Sequence, residues 1–113
     1  MPDRSALRMT MPTQLVLQAL LAEPGEEQYG LQICTNAGLP SGTIHPILAR
    51  LERVGWLESR WEEADPHEEG RPRRRYYRFS PGGAEQARLA LARSRTPVSA
   101  VPGLRARPAI SPG

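Results

Sequence analysis

The 113-residue sequence contains no lysine, one cysteine, two histidines and only 5% aromatic residues. No apolar run approaches the ~18 residues that a membrane-spanning helix needs. The lone Cys34 cannot form a disulfide within the chain, so a cytoplasmic location is expected. With only His45 and His67, neither a Ser-His-Asp nor a Cys-His set can be assembled, and no glycine-rich phosphate loop follows a strand. The sequence therefore predicts a protein that is not an enzyme and needs no cofactor.

One acidic segment contains the donor types of a metal site, namely Asp65, His67, Glu68 and Glu69. It has no cysteine or second histidine nearby, and it lies within residues 64–72, where proline and glycine predict a hairpin tip. We therefore interpret the segment as a solvated loop and predict no metal site.

The basic residues are unevenly distributed. All 15 are arginines, and 12 acidic residues leave a net charge of only +3. Five arginines nevertheless fall between Arg71 and Arg78. Such a concentration of positive charge on one segment indicates an anionic partner.

Apolar residues recur at helical spacing in four segments. Thr13 and Ser41 are the predicted N-caps of the first and third helices, and Gly38 and Gly55 the predicted ends of the second and third. Cys34 on the second helix is predicted to pack in the core. The predicted helices cover residues 14–22, 28–38, 41–55 and 84–95.

The third helix is amphipathic. Its apolar side chains Ile44, Ile47, Leu48 and Leu51 lie three and four residues apart, which places them on one face. Pro46 lies near the first turn, where a helix tolerates proline. The opposite, exposed face is predicted to hold Thr43, His45, Pro46, Ala49, Arg50 and Arg53.

Beyond Gly55 the apolar period changes to two, which predicts strands over residues 57–62 and 73–80. Trp56 and Trp61 are predicted to pack between wing and core, with stacking on a ligand as the alternative role. The order helix, helix, helix, strand, strand, helix is typical of a winged helix-turn-helix, a mainly α fold with a small two-stranded β wing. The predicted organisation is a flexible arm over residues 1–12, a DNA-binding domain over 13–95 and a disordered tail over 96–113.

Two blocks of sequence resemble the PadR family of bacterial transcriptional regulators. They are LPSGTIHPILARLERVGWLESRWEE and EGRPRRRYYRFSPGG, and the segment around Tyr29-Gly30 is also similar. The resemblance covers about residues 13–95. It implies a winged-helix homodimer that binds double-stranded DNA at a near-palindromic operator, with the third helix in the major groove. We predict that the protein acts there as a repressor.

The resemblance also implies which residues contact DNA. The recognition helix would use Ser41, Thr43, His45 and Pro46, with Arg50 or Arg53 at phosphates. The wing would use Arg71, Arg73 and Arg74. Strand alternation sends Arg73 and Arg75 to one face and Arg74 to the other, so not all of them can meet DNA. Ion pairs with the wing carboxylates are the alternative role for these arginines, the carboxylates being Glu62, Glu63, Glu68 and Glu69.

Family members dimerise through the last helix, assisted by the first. The corresponding side chains here are Leu17, Ala84, Ala87, Leu89 and Leu91. Because the last helix is short, two alternatives follow: a dimer weaker than is usual in the family, or a dimer that also uses Leu7, Met9 and Met11 of the arm. The last helix has no aromatic residue, so the drug binding of some small relatives is not expected. A small-molecule inducer of unknown identity stays an open possibility.

A second hypothesis is a winged-helix adaptor that binds another protein and not DNA. Its basis is the acidic stretch from Glu62 to Glu69, which would repel phosphate if it lay close to a duplex.

Overall fold

The computed structural model describes residues 7–94. Residues 1–6 of the predicted arm and the predicted disordered tail, 96–113, lie outside the described residues. The elements follow one another as α1 (Met11–Leu21), β1 (Gln28–Tyr29), α2 (Gly30–Ala37), α3 (Ser41–Arg53), β2 (Leu57–Trp61), α4 (Pro66–Glu69), β3 (Arg75–Phe79) and α5 (Gly83–Ser94).

Helix α1 starts earlier than predicted. Its N-cap is Thr10, whose hydroxyl accepts a hydrogen bond from the backbone N–H of Thr13 at 3.3 Å. Thr13 itself is fully buried within the helix, so the prediction that it forms the cap was wrong. The reason is Pro12, whose fixed backbone angle suits the first turn of a helix and whose missing N–H costs nothing there.

The sheet has three strands, not the predicted two, in the antiparallel order β1–β3–β2. The extra strand pairs Gln28 with Tyr77 and Tyr29 with Tyr76. The buried side chain of Gln28 donates to the Ala19 carbonyl at 3.3 Å and accepts from the Asn36 amide at 3.3 Å. These contacts hold residues 28 and 29 extended, so α2 begins two residues later than predicted.

Helix α3 follows α2 across a tight turn. Gly38 ends α2 in the left-handed conformation, with φ of 72°, and Pro40 takes the N-cap position that was predicted for Ser41. The helix continues through Pro46. Proline has no N–H to offer the carbonyl of Gly42, and Gly42 is exposed, so water can satisfy that carbonyl.

The core lies between the helices and one face of the sheet. As the helical spacing predicted, Ile44, Ile47, Leu48 and Leu51 are all buried. The remaining core side chains come from α1, α2, α5 and the sheet, and the largest apolar ones are Val16, Leu17, Leu20, Ile33, Leu57, Tyr77 and Leu91.

The β2–β3 hairpin extends beyond this core, with Leu57 opposite Phe79 at its base and Trp61 opposite Arg75 near its tip. Trp56 packs against the core as predicted. Trp61 is 56% exposed, so the prediction that it packs on the core was wrong. The strand leaves the body of the domain before it reaches Trp61.

Helix α5 begins at a close backbone contact. The N–H of Ser80 donates to the Trp56 carbonyl at 2.9 Å, and the N–H of Gly83 donates to the Ser80 carbonyl at 2.7 Å. A Cβ on Gly83 would overlap the Trp56 carbonyl oxygen. Glycine is therefore needed at the position where the hairpin meets the last helix. Within residues 7–94, no helix combines the length and apolar character that crossing a bilayer demands.

Candidate nucleic-acid interface

The exposed face of α3 presents a continuous row of small and polar side chains. Gly42, His45, Pro46, Ala49 and Arg53 lie three or four residues apart and all are exposed, directly opposite the buried apolar face. Ser41 is exposed at the start of the helix, and Thr43 and Arg50 are half-buried at the edge of the same face. The predicted recognition-helix residues are thus brought together.

Arg50 and Arg53 place positive charge in the last turn of α3. Neither forms an ion pair with a carboxylate among residues 7–94. Cations in the last turn complement the negative end of the helix dipole. Their charge is therefore available to an anionic partner.

His45 lies close to the first residue of α2. A Cβ on Gly30 would lie only 3.3 Å from Cε1 of the His45 ring. The glycine of the Tyr29-Gly30 pair thus leaves room for this side chain. His45 itself is exposed, so its ring lies beside the α2 N-terminus and still reaches solvent.

The wing tip is held by an ion pair. Arg71 donates from Nη1 and Nη2 to the two Glu62 carboxylate oxygens at 2.8 and 3.0 Å, and its Nη2 lies 3.7 Å from Glu69. The backbone N–H of Arg74 also donates to Glu62, at 3.0 Å. These donors, the Arg71 guanidinium above all, lower the pKa of the Glu62 carboxyl to about 2. The alternative role predicted for the wing arginines is confirmed for Arg71.

Arg73 and Arg74 have different surroundings. Arg73 is exposed, and its Nε donates to the Ala64 carbonyl at 3.1 Å. Its guanidinium forms no ion pair with a carboxylate among residues 7–94. Arg74 stacks on Tyr29, with its guanidinium carbon 4.1 Å from the ring centroid. Cation–π stacking of this kind holds Arg74 against the outer face of the sheet.

The outer face carries a set of contacts that the sequence analysis missed. Tyr29 meets Tyr76 edge to face at 5.7 Å, and the Arg60 guanidinium lies 5.0 Å from the Tyr76 ring centroid. Arg60 also makes two hydrogen bonds of 2.7 Å to Glu27, which lowers the pKa of that carboxyl. On the same face Arg78 pairs with Glu58 at 2.9 Å. The charges of this face are mostly satisfied within the protein.

The inner face connects the wing to α3, and it too was missed. Ser59 donates to the Glu52 carboxylate at 2.6 Å, and Arg75 lies 3.8 Å from the same carboxylate. The Arg75 guanidinium carbon is also 5.1 Å from the centroid of a Trp61 ring. Strand alternation is the one feature of the sequence that could have indicated these contacts. It places residues 59 and 61 on one face of β2, and the strand register then places Arg75 on the same face, across from Trp61.

The predicted dimerisation residues separate into two groups. Leu17, Ala87 and Leu91 are buried in the core of the single chain. Leu89 is 44% exposed and Ala84 is half-buried, so these two reach the surface of α5.

The segment with metal-donor residues forms the single turn α4. The Asp65 carboxylate caps it by accepting from the His67 backbone N–H at 2.9 Å. Across the described part of the chain, no group of three or more histidine, cysteine or acidic side chains is placed to hold a metal ion.

Solved structures of known proteins share this fold. The chain matches transcriptional regulator PA4135 at 20% identity with a TM-score of 0.57, over 74% of this chain and 55% of that one. It matches the disulfide form of AbfR at 24% identity with a TM-score of 0.59, over 88% of this chain and 61% of that one. It matches overoxidized AbfR bound to DNA at 24% identity with a TM-score of 0.58, over 79% of this chain and 61% of that one.

The chain thus spans 55–61% of the length of these three proteins, and its structural likeness to them shows a shared fold. No curated protein matches it. The model of the Transcriptional regulator PadR-like family matches residues 16–89, which is more than half of the chain. The order of the helices and the hairpin agrees with that match, and the chain belongs to the PadR-like family of transcriptional regulators.

Proposed function

We propose that this regulator binds double-stranded DNA in a sequence-specific manner and acts as a repressor, as a homodimer on a near-palindromic operator. The observation that carries the proposal is the exposed face of α3, which ends in Arg50 and Arg53. Overoxidized AbfR, which shares the fold, is described as bound to DNA.

The chemistry of the α3 face suits a major groove. Thr43 offers a methyl group and a hydroxyl, which contact a thymine methyl or a base edge. The exposed ring of His45 donates to a base or a phosphate, and the small residues Gly42 and Ala49 allow close approach of the helix. Backbone N–H groups at the start of α3, beside Ser41, favour a phosphate. Arg50 and Arg53 neutralise further phosphates.

The three wing arginines have different roles in this proposal. Arg73, which is exposed and whose side chain is held within residues 7–94 through Nε alone, supplies a phosphate contact. Arg71 and Arg74 are already engaged by Glu62 and Tyr29 and shape the hairpin. A surface ion pair is worth only ~0–1 kcal/mol, so a phosphate that reaches Arg71 competes with Glu62 for it.

The homodimer places two recognition helices on adjacent half-sites, since one small module reads too few base pairs for specificity. Leu89 and Ala84 on α5 form the proposed contact, because they are accessible on the single chain. Leu17, Ala87 and Leu91 support that surface from inside the core. A regulator of chromosomal DNA in a bacterium acts in the cytoplasm.

The test is a binding titration with the full chain. Selection from fragments of the host genome supplies a duplex, and a scrambled duplex of the same composition is its control. Fluorescence anisotropy of labelled duplexes is measured at several salt concentrations. We expect tighter binding to the selected duplex and a logarithm of the affinity that falls linearly with the logarithm of salt concentration.

Equal affinity for the scrambled duplex would contradict sequence-specific recognition. No binding to any duplex at low salt, together with a stable co-purifying protein, would instead support the adaptor hypothesis. The pairing of Glu62 and Glu69 with Arg71 weakens the basis of that hypothesis, because it neutralises part of the acidic stretch.

A further inference from the structure

Strand β2 forms an edge of the sheet, because the order β1–β3–β2 gives it a neighbouring strand on one side only. At its two ends the N–H of Ser80 donates to the Trp56 carbonyl, and the N–H of Glu62 donates to the Arg74 carbonyl. Hydrogen-bonded and non-hydrogen-bonded pairs alternate along an antiparallel ladder. The even-numbered residues of β2 therefore bond to β3, and the backbone groups of the odd-numbered residues point away from it.

The edge is accessible near the tip of the wing. Trp61 is 56% exposed, Glu63 is exposed and Ser59 is half-buried. Within residues 7–94, the backbone N–H and C=O groups of these three residues have no hydrogen-bond partner. Leu57 is only 3% exposed, so the edge is covered at the base of the hairpin. A short open segment remains, and its backbone groups are placed to pair with another strand.

The side chains of this segment are complementary to a second copy of it. In an antiparallel pair of identical strands, the residue on the two-fold axis faces its own copy. An axis at position 58, 60 or 62 would place two like charges opposite each other, and an axis at Ser59 would need the covered backbone of Leu57. An axis at Trp61 instead places Arg60 opposite the partner's Glu62.

We propose that the β2 edge is a self-association surface, where β2 pairs antiparallel with β2 of a second copy of this chain about a two-fold axis at Trp61. The backbone groups of Trp61 then bond to those of its own copy, and the backbone groups of Ser59 bond to those of the partner's Glu63. The two three-stranded sheets become one continuous sheet.

The pairing also covers the exposed indole. The two Trp61 rings lie side by side on the inner face, and each keeps the Arg75 guanidinium of its own chain 5.1 Å from the ring centroid. On the outer face, Arg60 meets the partner's Glu62. Because Glu62 already accepts from Arg71 within its own chain, this charge pair fixes the register more than it adds affinity.

This contact goes beyond the proposed function, since it needs no DNA and is separate from the contact proposed for α5. A chain with two different two-fold contacts forms assemblies larger than a dimer. The pairing uses residues 59–63 of each copy, against the ~20–30 residues a side of a standard interface. We therefore expect a weak contact, with a dissociation constant on the order of 100 µM.

Amide hydrogen exchange tests the pairing at the backbone. The sample is the full Leu89→Glu chain, in which the α5 contact is weakened, at concentrations well below and well above the expected dissociation constant. We expect the amides of Ser59, Trp61 and Glu63 to exchange several-fold more slowly at the higher concentration. The amides of even-numbered Glu58 and Arg60 already bond to β3 and are internal controls. Protection of Glu63 distinguishes the axis at Trp61 from one at Ser59.

Sedimentation equilibrium of the same chain gives a second readout. Ser59→Pro removes an N–H that points away from β3 and leaves the ladder to β3 intact. It should weaken the association at least about tenfold, because each copy loses one hydrogen bond and the proline ring obstructs the approach of the strands. Ser59→Ala is the matched control and should associate normally, since it loses the hydroxyl that bonds to Glu52 and keeps the N–H.

A charge reversal tests the register. Arg60→Glu should weaken the association, because the new carboxylate would face the partner's Glu62. Arg78→Glu is the matched control: each change removes one exposed ion pair within the chain, Arg60–Glu27 or Arg78–Glu58, but Arg78 lies on the central strand. Circular dichroism shows that each variant is folded.

Two results would overturn the strand pairing. One is a Leu89→Glu chain whose sedimentation and amide exchange do not change with concentration. The other is association that Ser59→Pro and Arg60→Glu leave as strong as before. Either result leaves the proposed function standing, because DNA binding is measured separately by anisotropy. A chain that associates through β2 and binds no duplex would overturn the proposed function alone.

Discussion

The guanidinium of Arg71 and the carboxylate of Glu62 meet through two parallel hydrogen bonds, Nη1 to Oε1 at 2.8 Å and Nη2 to Oε2 at 3.0 Å. Glu62 follows β2 directly, and its backbone N–H donates to the carbonyl of Arg74 at 2.8 Å. The pair therefore closes the wing at the point where ladder hydrogen bonding ends. Arginine–carboxylate pairs with this geometry are the most specific of the surface ion pairs.

The Glu62 pair predicts how stability depends on pH. The carboxyl has an ordinary pKa of 4.5 and a pKa of about 2 in the folded protein, so folding favours its ionised form. Its contribution is complete above pH ~4.5 and is lost as the pH falls towards 2. Denaturant unfolding followed by circular dichroism at a series of pH values measures this loss.

Glu62→Gln should remove part of that pH dependence, since no carboxylate is left to protonate. Glu68→Gln is the control, because Glu68 is an exposed neighbour on α4. A Glu62→Gln variant with the wild-type decline between pH 4.5 and 2 would show that the pair contributes nothing to folding.

Arg73→Ala should weaken binding to every duplex by a similar factor and reduce the slope of log affinity against log salt by about 1, because one phosphate contact is lost. Arg88→Ala is the matched control, since Arg88 is 53% exposed on α5, away from the wing. Anisotropy titrations at four salt concentrations measure both quantities. An unchanged slope would remove Arg73 from the interface.

Thr43→Ala should act on specificity. Loss of the methyl and hydroxyl contacts should reduce the preference for the original base pair by about 1–3 kcal/mol, with little change in the salt slope. Titration against duplexes that carry each of the four base pairs at one position measures the preference. An equal loss for all four would identify Thr43 as a residue that shapes the helix and reads no base.

Gly83→Ala should destabilise the fold by about 1–3 kcal/mol, because the added Cβ overlaps the Trp56 carbonyl and forces α5 away from the hairpin. Gly25→Ala is the control, since a Cβ there meets no atom within 4 Å. Urea unfolding measures the free energy of unfolding of both variants and of the wild type. Equal stabilities would show that the turn before α5 relaxes without cost.

Leu89→Glu should weaken the proposed dimer by at least about tenfold in dissociation constant, because a charge would be buried at an apolar contact. Leu31→Glu is the control, since Leu31 is 67% exposed on α2. Sedimentation equilibrium measures the constants. A wild-type chain that stays monomeric at micromolar concentration, alone and on DNA, would contradict the dimer.

Local patterns predicted the helices and the hairpin well. The spacing of Ile44, Ile47, Leu48 and Leu51 identifies the buried face of α3 and, by exclusion, its exposed face, because a regular helix converts sequence spacing directly into direction. Strand β1 was missed for the opposite reason. Two residues carry no period, and they are extended because Gln28 and Tyr29 pair with β3, far along the chain.

The sequence by itself determined the amphipathic α3, the two-stranded part of the wing and the accumulation of arginines beside it. Only the tertiary structure decided which side chains those arginines contact. Strand register and the approach of β1 bring Arg71 to Glu62, Arg74 to Tyr29 and Arg75 to Trp61 and Glu52. The number of charges follows from composition, whereas ion pairs and cation–π contacts depend on which distant side chains the fold places within a few ångströms of one another.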